Sequence, residues 1–228
     1  MQKRFLTPAR YRAGQIRRWI KESATLNRKR YKSIGSQRLA RLMQNLLQSI
    51  AMKNLVLVGF MGSGKTSAGT LAAKKLGMTF VDMDAMIEQR LGQTIAKVFE
   101  KKGEAFFRQR ERELVRELTS TQDRIIATGG GIVLDPNNVR DLARTGVVIC
   151  CWVNARVAYE RTRHTNHRPL LEEADTDRLA RIESLLRKRE PLYKAIANQI
   201  DTSSMTVEQQ ADELVRIYKQ QSGDNAGC

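Results

Sequence analysis

The stretch Gly59-Phe60-Met61-Gly62-Ser63-Gly64-Lys65-Thr66 constrains this chain more than any other. It follows the apolar run 55–58, which has the composition of a short buried strand, and precedes an Ala-, Leu- and Lys-rich segment of helical composition. Strand, glycine loop and helix in that order are the setting a phosphate-binding loop requires. Glycines let the backbone turn tightly enough for successive N–H groups to converge on phosphate oxygens, at the positive end of the following helix. Lys65 supplies a mobile charge for β- and γ-phosphates, and the Thr66 hydroxyl is a ligand for Mg²⁺. A glycine-rich turn with no ligand is the bland alternative. Eight matching residues in the right setting favour a nucleoside triphosphate.

A length of 228 residues leaves room for one packed domain and an appendage. Hydrophobic residues at 41% beside 28% charged ones describe a globular, soluble chain. No apolar run approaches the roughly 18 residues of a membrane span. Cys150 and Cys151 are adjacent on an apolar strand and Cys228 is the last residue. Neither arrangement resembles a disulfide framework or a metal-ligand spacing, which points to a reducing compartment, the cytoplasm.

The formal charge of +16 suggests nucleic acid until it is mapped. Residues 1–50 hold 13 Lys/Arg against one acid, Glu22, a net of +12. The other 178 residues carry 27 basic and 23 acidic side chains, a net of +4. The excess therefore belongs to the extension, residues 1–51, and residues 52–220 form a domain of ordinary charge balance. Within the extension, Leu39, Leu42, Met43, Leu46, Leu47 and Ile50 recur at helical spacing. Four explanations stay open for it. It is upstream sequence absent from the native product, since Met52 stands just before the first strand; or a cleaved, organelle-directing peptide; or a docking segment; or a stretch that packs on the domain or stays disordered.

From Lys53 onward short apolar strands alternate with helices. The pattern predicts strands at 53–58, 79–82, 124–128, 147–153 and 199–201. It predicts helices at 65–76, 84–91, 94–99, 104–118, 136–143, 155–163, 176–188 and 205–220, with a frayed tail over 221–228. Such alternation specifies a buried parallel sheet covered on both faces. Ligands on these sheets lie beyond the carboxyl ends of the strands. The chemically distinctive residues do cluster there.

The second strand ends in Asp82-Met83-Asp84, and alternation along an extended segment aims both carboxylates the same way. One can serve Mg²⁺, directly or through water, and the other can accept a hydrogen bond from a substrate hydroxyl. The competing view makes Asp84 a helix cap and Asp82 a strand-end charge. Further on, Arg108 and Glu111 share a helical face, so that Glu111 can hold the guanidinium. Such pairs are ordinarily solvated, but Phe106 and Phe107 just before them favour partial burial. Three glycines, Gly129, Gly130 and Gly131, follow the third strand and allow close approach of a ligand to backbone N–H groups.

The polar, cation-rich segment 161–171 reads as a loop crossing the site, able to bring Arg168 to a phosphoryl group. Its His164 and His167 lack a third ligand, which argues against a metal. Arg187-Lys188-Arg189-Glu190-Pro191-Leu192-Tyr193 reads as the end of a long helix, since Pro191 discourages continuation. That basic end complements the helix dipole or aims an Arg at an anionic substrate. The strand and turn 199–204 sit where a purine pocket can form.

Taken together, these pieces resemble shikimate kinase over about residues 53–220. The glycine loop alone marks a superfamily. Specificity comes from Val81-Asp82-Met83-Asp84, Phe107-Arg108-Gln109-Arg110-Glu111, the three glycines, Arg168-Pro169-Leu170-Leu171 and Arg189-Glu190-Pro191-Leu192-Tyr193 in that order. The resemblance implies an α/β fold, a P-loop kinase of nucleoside-monophosphate-kinase type, with a five-stranded parallel sheet flanked by helices and a lid. It implies transfer of the ATP γ-phosphate to the 3-hydroxyl of shikimate, in the route to chorismate. By motif position, Gly62, Ser63, Gly64, Lys65, Thr66, Ser67, Arg161 and Arg168 would bind ATP, with Arg161 beside the adenine and the turn near Thr202 completing that pocket. Asp84, Arg108, Gly130, Gly131 and Arg189 would bind shikimate, the two arginines at its carboxylate. Lys65, Asp84 and Arg168 would be catalytic. Thr66 would ligate Mg²⁺, with Asp82 behind it through water. The basic extension departs from the compact family pattern.

The expected partners are ATP and shikimate, with no nucleic acid for the catalytic domain, and the expected state is a monomer. A gluconate kinase is the nearest rival, because a sugar acid also calls for Arg; Gly129, Gly130, Gly131 and the Arg108/Arg189 pair discriminate against it. A nucleic-acid-binding ATPase is the rival from a different class. Against it, the excess charge lies outside the P-loop domain and aromatic interleaving is sparse.

Overall fold

The computed structural model describes residues 53–163 and 175–222. The basic extension, most of the predicted loop with Arg168, His164 and His167, and Cys228 lie outside the described residues. Five strands build one parallel sheet: β1 (Asn54–Val58), β2 (Thr79–Asp82), β3 (Arg124–Ala127), β4 (Gly146–Trp152) and β5 (Asn198–Asp201). Their spatial order is β2-β3-β1-β4-β5, so β1 is central. Every residue of β1 is buried. That is why it reads as a continuous apolar run rather than an alternating one.

The helices are α1 (Lys65–Leu76), α2 (Met83–Leu91), α3 (Ile95–Leu118), α4 (Pro136–Thr145), α5 (Ala155–Thr162), α6 (Asp175–Lys194) and α7 (Val207–Ser222). Side chains alternate across the sheet. Val56, Val58, Ile126, Val148 and Cys150 join one core with Phe107, Leu114, Ile182 and Tyr193. On the other face, Leu57 and Phe80 meet α1 at Gly69, and Ala68, Ala72, Leu214 and Tyr218 are buried there. Each full burial of a Leu, Ile or Phe stabilises the fold by about 1.5–3 kcal/mol. Asn54, 1% exposed, ties the amino end of the sheet together. Its Nδ2 donates to Thr121 O (2.8 Å) while its Oδ1 accepts from Arg124 N (3.1 Å).

Several boundaries differ from the sequence expectation, each for a local reason. The helices predicted at 94–99 and 104–118 are both present within α3 and are separated at Gly103, whose φ of 77° and ψ of 168° are not helical, the first running past its predicted end at 99. Pro191 does not terminate α6, which continues to Lys194. A proline so near the end removes a single helical hydrogen bond, and Ala195 N still closes on Pro191 O at 3.1 Å. The last helix reaches Ser222, two residues into the predicted tail.

Register levels the carboxyl ends of the central strands. Leu57 pairs with Ala127 and Val58 with Cys150, so the loops after β1 and β3 emerge side by side. Among the described residues no helix is long and apolar enough to cross a membrane.

Candidate active site

The loop between β1 and α1 presents the first half of the site. Gly64 caps α1 in the left-handed region, φ 79°, a conformation that glycine adopts without strain. The Lys65 ammonium folds back over the loop, donating to Gly59 O (2.7 Å), Phe60 O (2.8 Å) and Ser63 Oγ (3.2 Å). Beside it lies a cleft of about 530 Å³ whose walls include Gly62, Gly64, Lys65, Thr66, Ser67 and Arg161. Arg161, on α5, donates to Gly62 O (3.2 Å) and to Thr202 O (2.9 Å). It thus joins the glycine loop to the turn after β5. The far wall is Met205, Thr206, Val207 and Gln210, a few residues later than the 199–204 turn predicted from sequence.

A second cleft, of about 370 Å³, opens on the other side of Lys65 and Thr66. Asp82, Asp84, Arg108, Glu111, Gly129, Gly130, Gly131 and Arg189 all line it. Of the residues predicted for the acceptor site, every one is brought to this single space. Two details of that prediction are corrected. Asp82 and Asp84 do not share a face through strand alternation, because the strand stops at Asp82 and Asp84 stands in the first turn of α2. The helix cap is Asp82 rather than Asp84: Asp82 Oδ1 accepts from Asp84 N (3.1 Å) and Ala85 N (3.2 Å). The other Asp82 oxygen accepts from Thr66 Oγ1 at 2.9 Å.

The two arginines arrive from different helices. Arg108 of α3 donates to Glu111 Oε2 (2.9 Å) and to Glu104 Oε1 (2.9 Å). Burial opposes the charge of Arg108, but the two carboxylates outweigh it and push its pKa up. Glu111 is only 2% exposed, and burial raises its carboxyl above the ordinary value against the pull of Arg108. Arg189 of α6 donates to Gly130 O at 3.3 Å, and Tyr193, one turn on, donates to the same oxygen at 2.6 Å. Burial pushes the Tyr193 phenol up, so it remains a donor at neutral pH.

The hard-oxygen pair Thr66 and Asp82, next to the loop, fits Mg²⁺ by donor chemistry. Among the described residues no group of three or more His, Cys, Asp or Glu is arranged to hold a metal by itself. A shared ion completed by phosphate oxygens and water is what such a partial set suits.

Sequence reasoning missed Glu88, Ile95, Phe99, Tyr193 and Gln210. Glu88 accepts from Ile95 N at 2.9 Å and fixes the start of α3, while Ile95 and Phe99 supply the apolar wall of the acceptor cleft. No local spacing marks Glu88, Ile95, Phe99 or Gln210; Tyr193 closes the motif that begins at Arg189, but nothing in that motif predicts its bond to Gly130. A third hollow, about 560 Å³, carries no carboxylate and lies where β4 and β5 begin, lined by Gly146 and Asn198. It is at the wrong end of a parallel sheet for ligand chemistry.

The shikimate kinase family profile matches residues 61–219. The chain belongs to the shikimate kinase family. A shikimate kinase of Thermodesulfovibrio yellowstonii is 44% identical over 171 residues, 75% of this chain and 98% of that one. Another, from Aromatoleum aromaticum, is 48% identical over 146 residues, 64% of this chain and 82% of the relative. Among solved structures, shikimate kinase from Acinetobacter baumannii in complex with shikimate superposes with a TM-score of 0.69 at 33% identity. The match covers 77% of this chain and 96% of that one. The fold is shared more widely: deoxyadenosine kinase from M. mycoides matches with a TM-score of 0.50 at 15% identity. Membership of this family displaces the gluconate kinase and nucleic-acid ATPase alternatives.

Proposed function

We propose that this enzyme transfers the γ-phosphate of ATP to the 3-hydroxyl of shikimate, giving shikimate 3-phosphate and ADP, with residues 52–220 as the catalytic unit. The observation that carries this reading is that the two clefts meet at Lys65 and Thr66, which line both. A triphosphate tail in one and a hydroxy acid in the other would meet at that shared wall, where positioning and charge neutralisation are most of what phosphoryl transfer needs.

In this reading Arg108 and Arg189 hold the shikimate carboxylate, with Gly130 and Gly131 offering backbone contacts, because a planar guanidinium matches a carboxylate in two hydrogen bonds. Asp84 orients the acceptor hydroxyl and takes its proton as the new O–P bond forms. The bond from the γ-phosphorus to the bridging oxygen breaks, and ADP leaves with that electron pair. Lys65 exchanges its loop carbonyl partners for phosphate oxygens. Gly62, Ser63, Gly64, Thr66 and Ser67 surround the phosphates, and Arg161 flanks the adenine. Arg168, outside the described residues, is assigned to the phosphoryl group by its motif alone. Thr66 and, behind it, Asp82 would hold Mg²⁺, which would supply neutralisation of phosphate charge.

The state proposed for it is a monomer. Adjacent buried thiols at Cys150 and Cys151 suit a reducing, ATP-supplied compartment, the cytoplasm. The test is an ADP-release assay with Mg-ATP, comparing shikimate, gluconate, nucleoside monophosphates and single-stranded DNA. Turnover confined to shikimate is expected. Faster turnover of any of the others overturns the assignment.

A further inference from the structure

Gln210 belongs to none of the motifs above, yet it is 3% exposed and borders the nucleotide cleft. It stands in the first turn of α7, a helix whose start is fixed by a reciprocal cap. Thr206 N donates to Gln209 Oε1 (2.9 Å) and Gln209 N to Thr206 Oγ1 (3.2 Å). From this anchored turn Gln210 Nε2 reaches the glycine loop and donates to Ser63 O at 2.9 Å. The rest of its carboxamide lies against Gly64, with Cδ 3.3 Å from where a β-carbon would stand.

A trans peptide points its C=O and the next N–H in opposite directions. Pinning the Ser63 carbonyl to Gln210 therefore turns the Gly64 N–H away from Gln210, at the start of α1, where the free N–H groups of a helix favour an anion. The preceding peptide is instead fixed at both ends within the protein: Arg161 holds Gly62 O at 3.2 Å, while Ser63 N closes on Phe60 O at 3.3 Å. Glycine at 64 permits more than one peptide orientation, and the tether selects one. Because Met205, Thr206 and Val207 wall the same cleft just before it, Gln210 also links the base end of that cleft to its phosphate end.

We infer that Gln210 is a positioning residue for the nucleotide, aiming the Gly64 N–H at phosphate without touching the reacting atoms. This rests on the reading above that the loop takes the phosphates of ATP. The test compares Q210M and Q210L, which keep the volume and lose the donor, with the wild type. It measures KM for ATP, KM for shikimate and the Kd for ADP by calorimetry. KM for ATP and Kd for ADP should each rise about tenfold, the scale of one buried hydrogen bond, while KM for shikimate stays within about twofold. An unchanged Kd for ADP in either folded variant overturns the assignment, as does an equal rise in both KM values. Failure of both variants to fold makes the residue part of the core and overturns it as well. A wild-type enzyme that neither binds ADP nor consumes shikimate defeats instead the reading on which it rests.

Discussion

The Arg108 guanidinium occupies the space that a side chain at Gly131 would need, with Cζ 2.7 Å from the position of a β-carbon there. Gly131 itself has φ −91° and ψ 0°, a conformation open to other residues. The glycine is required by the neighbour rather than by the backbone. Gly131→Ala should therefore displace Arg108 without straining the loop. A displaced guanidinium loses charge-assisted hydrogen bonds worth about 1.5–3 kcal/mol of binding, so KM for shikimate should rise about ten- to hundredfold. KM for ATP should stay near the wild-type value. Steady-state kinetics with each substrate varied in turn checks this, and an equal rise in both would mean general damage.

Asp84 meets the three-glycine stretch after β3 in the same way, its Oδ1 2.6 Å from a β-carbon placed on Gly129. Because Asp82 performs the capping, replacing Asp84 leaves the helix start intact. Asp84→Asn should lower kcat about 100- to 10,000-fold, the range for removing a general base. ADP affinity, measured by calorimetry, should hardly change. Parallel losses in kcat and ADP affinity would assign Asp84 a structural task.

Asp82 serves two ends at once, accepting from Thr66 Oγ1 and from the first backbone N–H groups of α2. Asn caps helices about as well as Asp, whereas Ala costs about 1 kcal/mol. Asp82→Asn should keep the wild-type Tm and raise the Mg²⁺ concentration needed for half-maximal turnover. Asp82→Ala should raise that requirement and lower Tm as well. Identical Mg²⁺ titrations for wild type and Asp82→Asn would exclude the carboxylate from the metal site.

How much of this was legible beforehand follows from where each signal resides. Lys65, Thr66, Arg108, Glu111 and the three glycines are set by spacing within one loop or one helix turn, and each lies in the predicted cleft. The five strands were legible because a doubly covered sheet demands unbroken apolar runs. Asp82 and Asp84 were placed correctly in space on the wrong grounds, since helix α2 begins one residue sooner than strand alternation assumed. Gln210 bonds to Ser63 across 147 positions and Tyr193 to Gly130 across 63. Such pairings are created by packing and leave no local mark.

Glu111 offers a pH-dependent test. Its carboxyl is raised above its ordinary value of 4.5, by burial first, with Arg108 opposing. A raised native pKa means that the folded state binds the proton more tightly than the unfolded chain. The stabilising contribution is then fully present below pH 4.5 and is lost as pH climbs through the raised native value. Glu111→Gln removes the titration. The difference in Tm, wild type minus variant, should fall as pH increases from the ordinary carboxyl range toward neutrality. A difference that grows with pH would show that pairing with Arg108 outweighs burial.

Removal of residues 1–51 tests whether the enzyme is complete without its basic extension. The Thermodesulfovibrio yellowstonii relative is matched over 98% of its length by 75% of this chain. The family profile begins at residue 61, and among the described residues those lining the two clefts are numbered 61 or higher. On those grounds kcat/KM should change by no more than about threefold, the scale of a surface change remote from the site. One exception follows from charge. ATP and shikimate are anions, and an extension of net +12 can raise their local concentration at low ionic strength. Any advantage of the full chain should therefore shrink as salt is raised to about 0.15 M, where charges more than about 8 Å apart are screened. An advantage that persists at that ionic strength, or a truncated protein without activity, would mean that the extension contributes structure to the site.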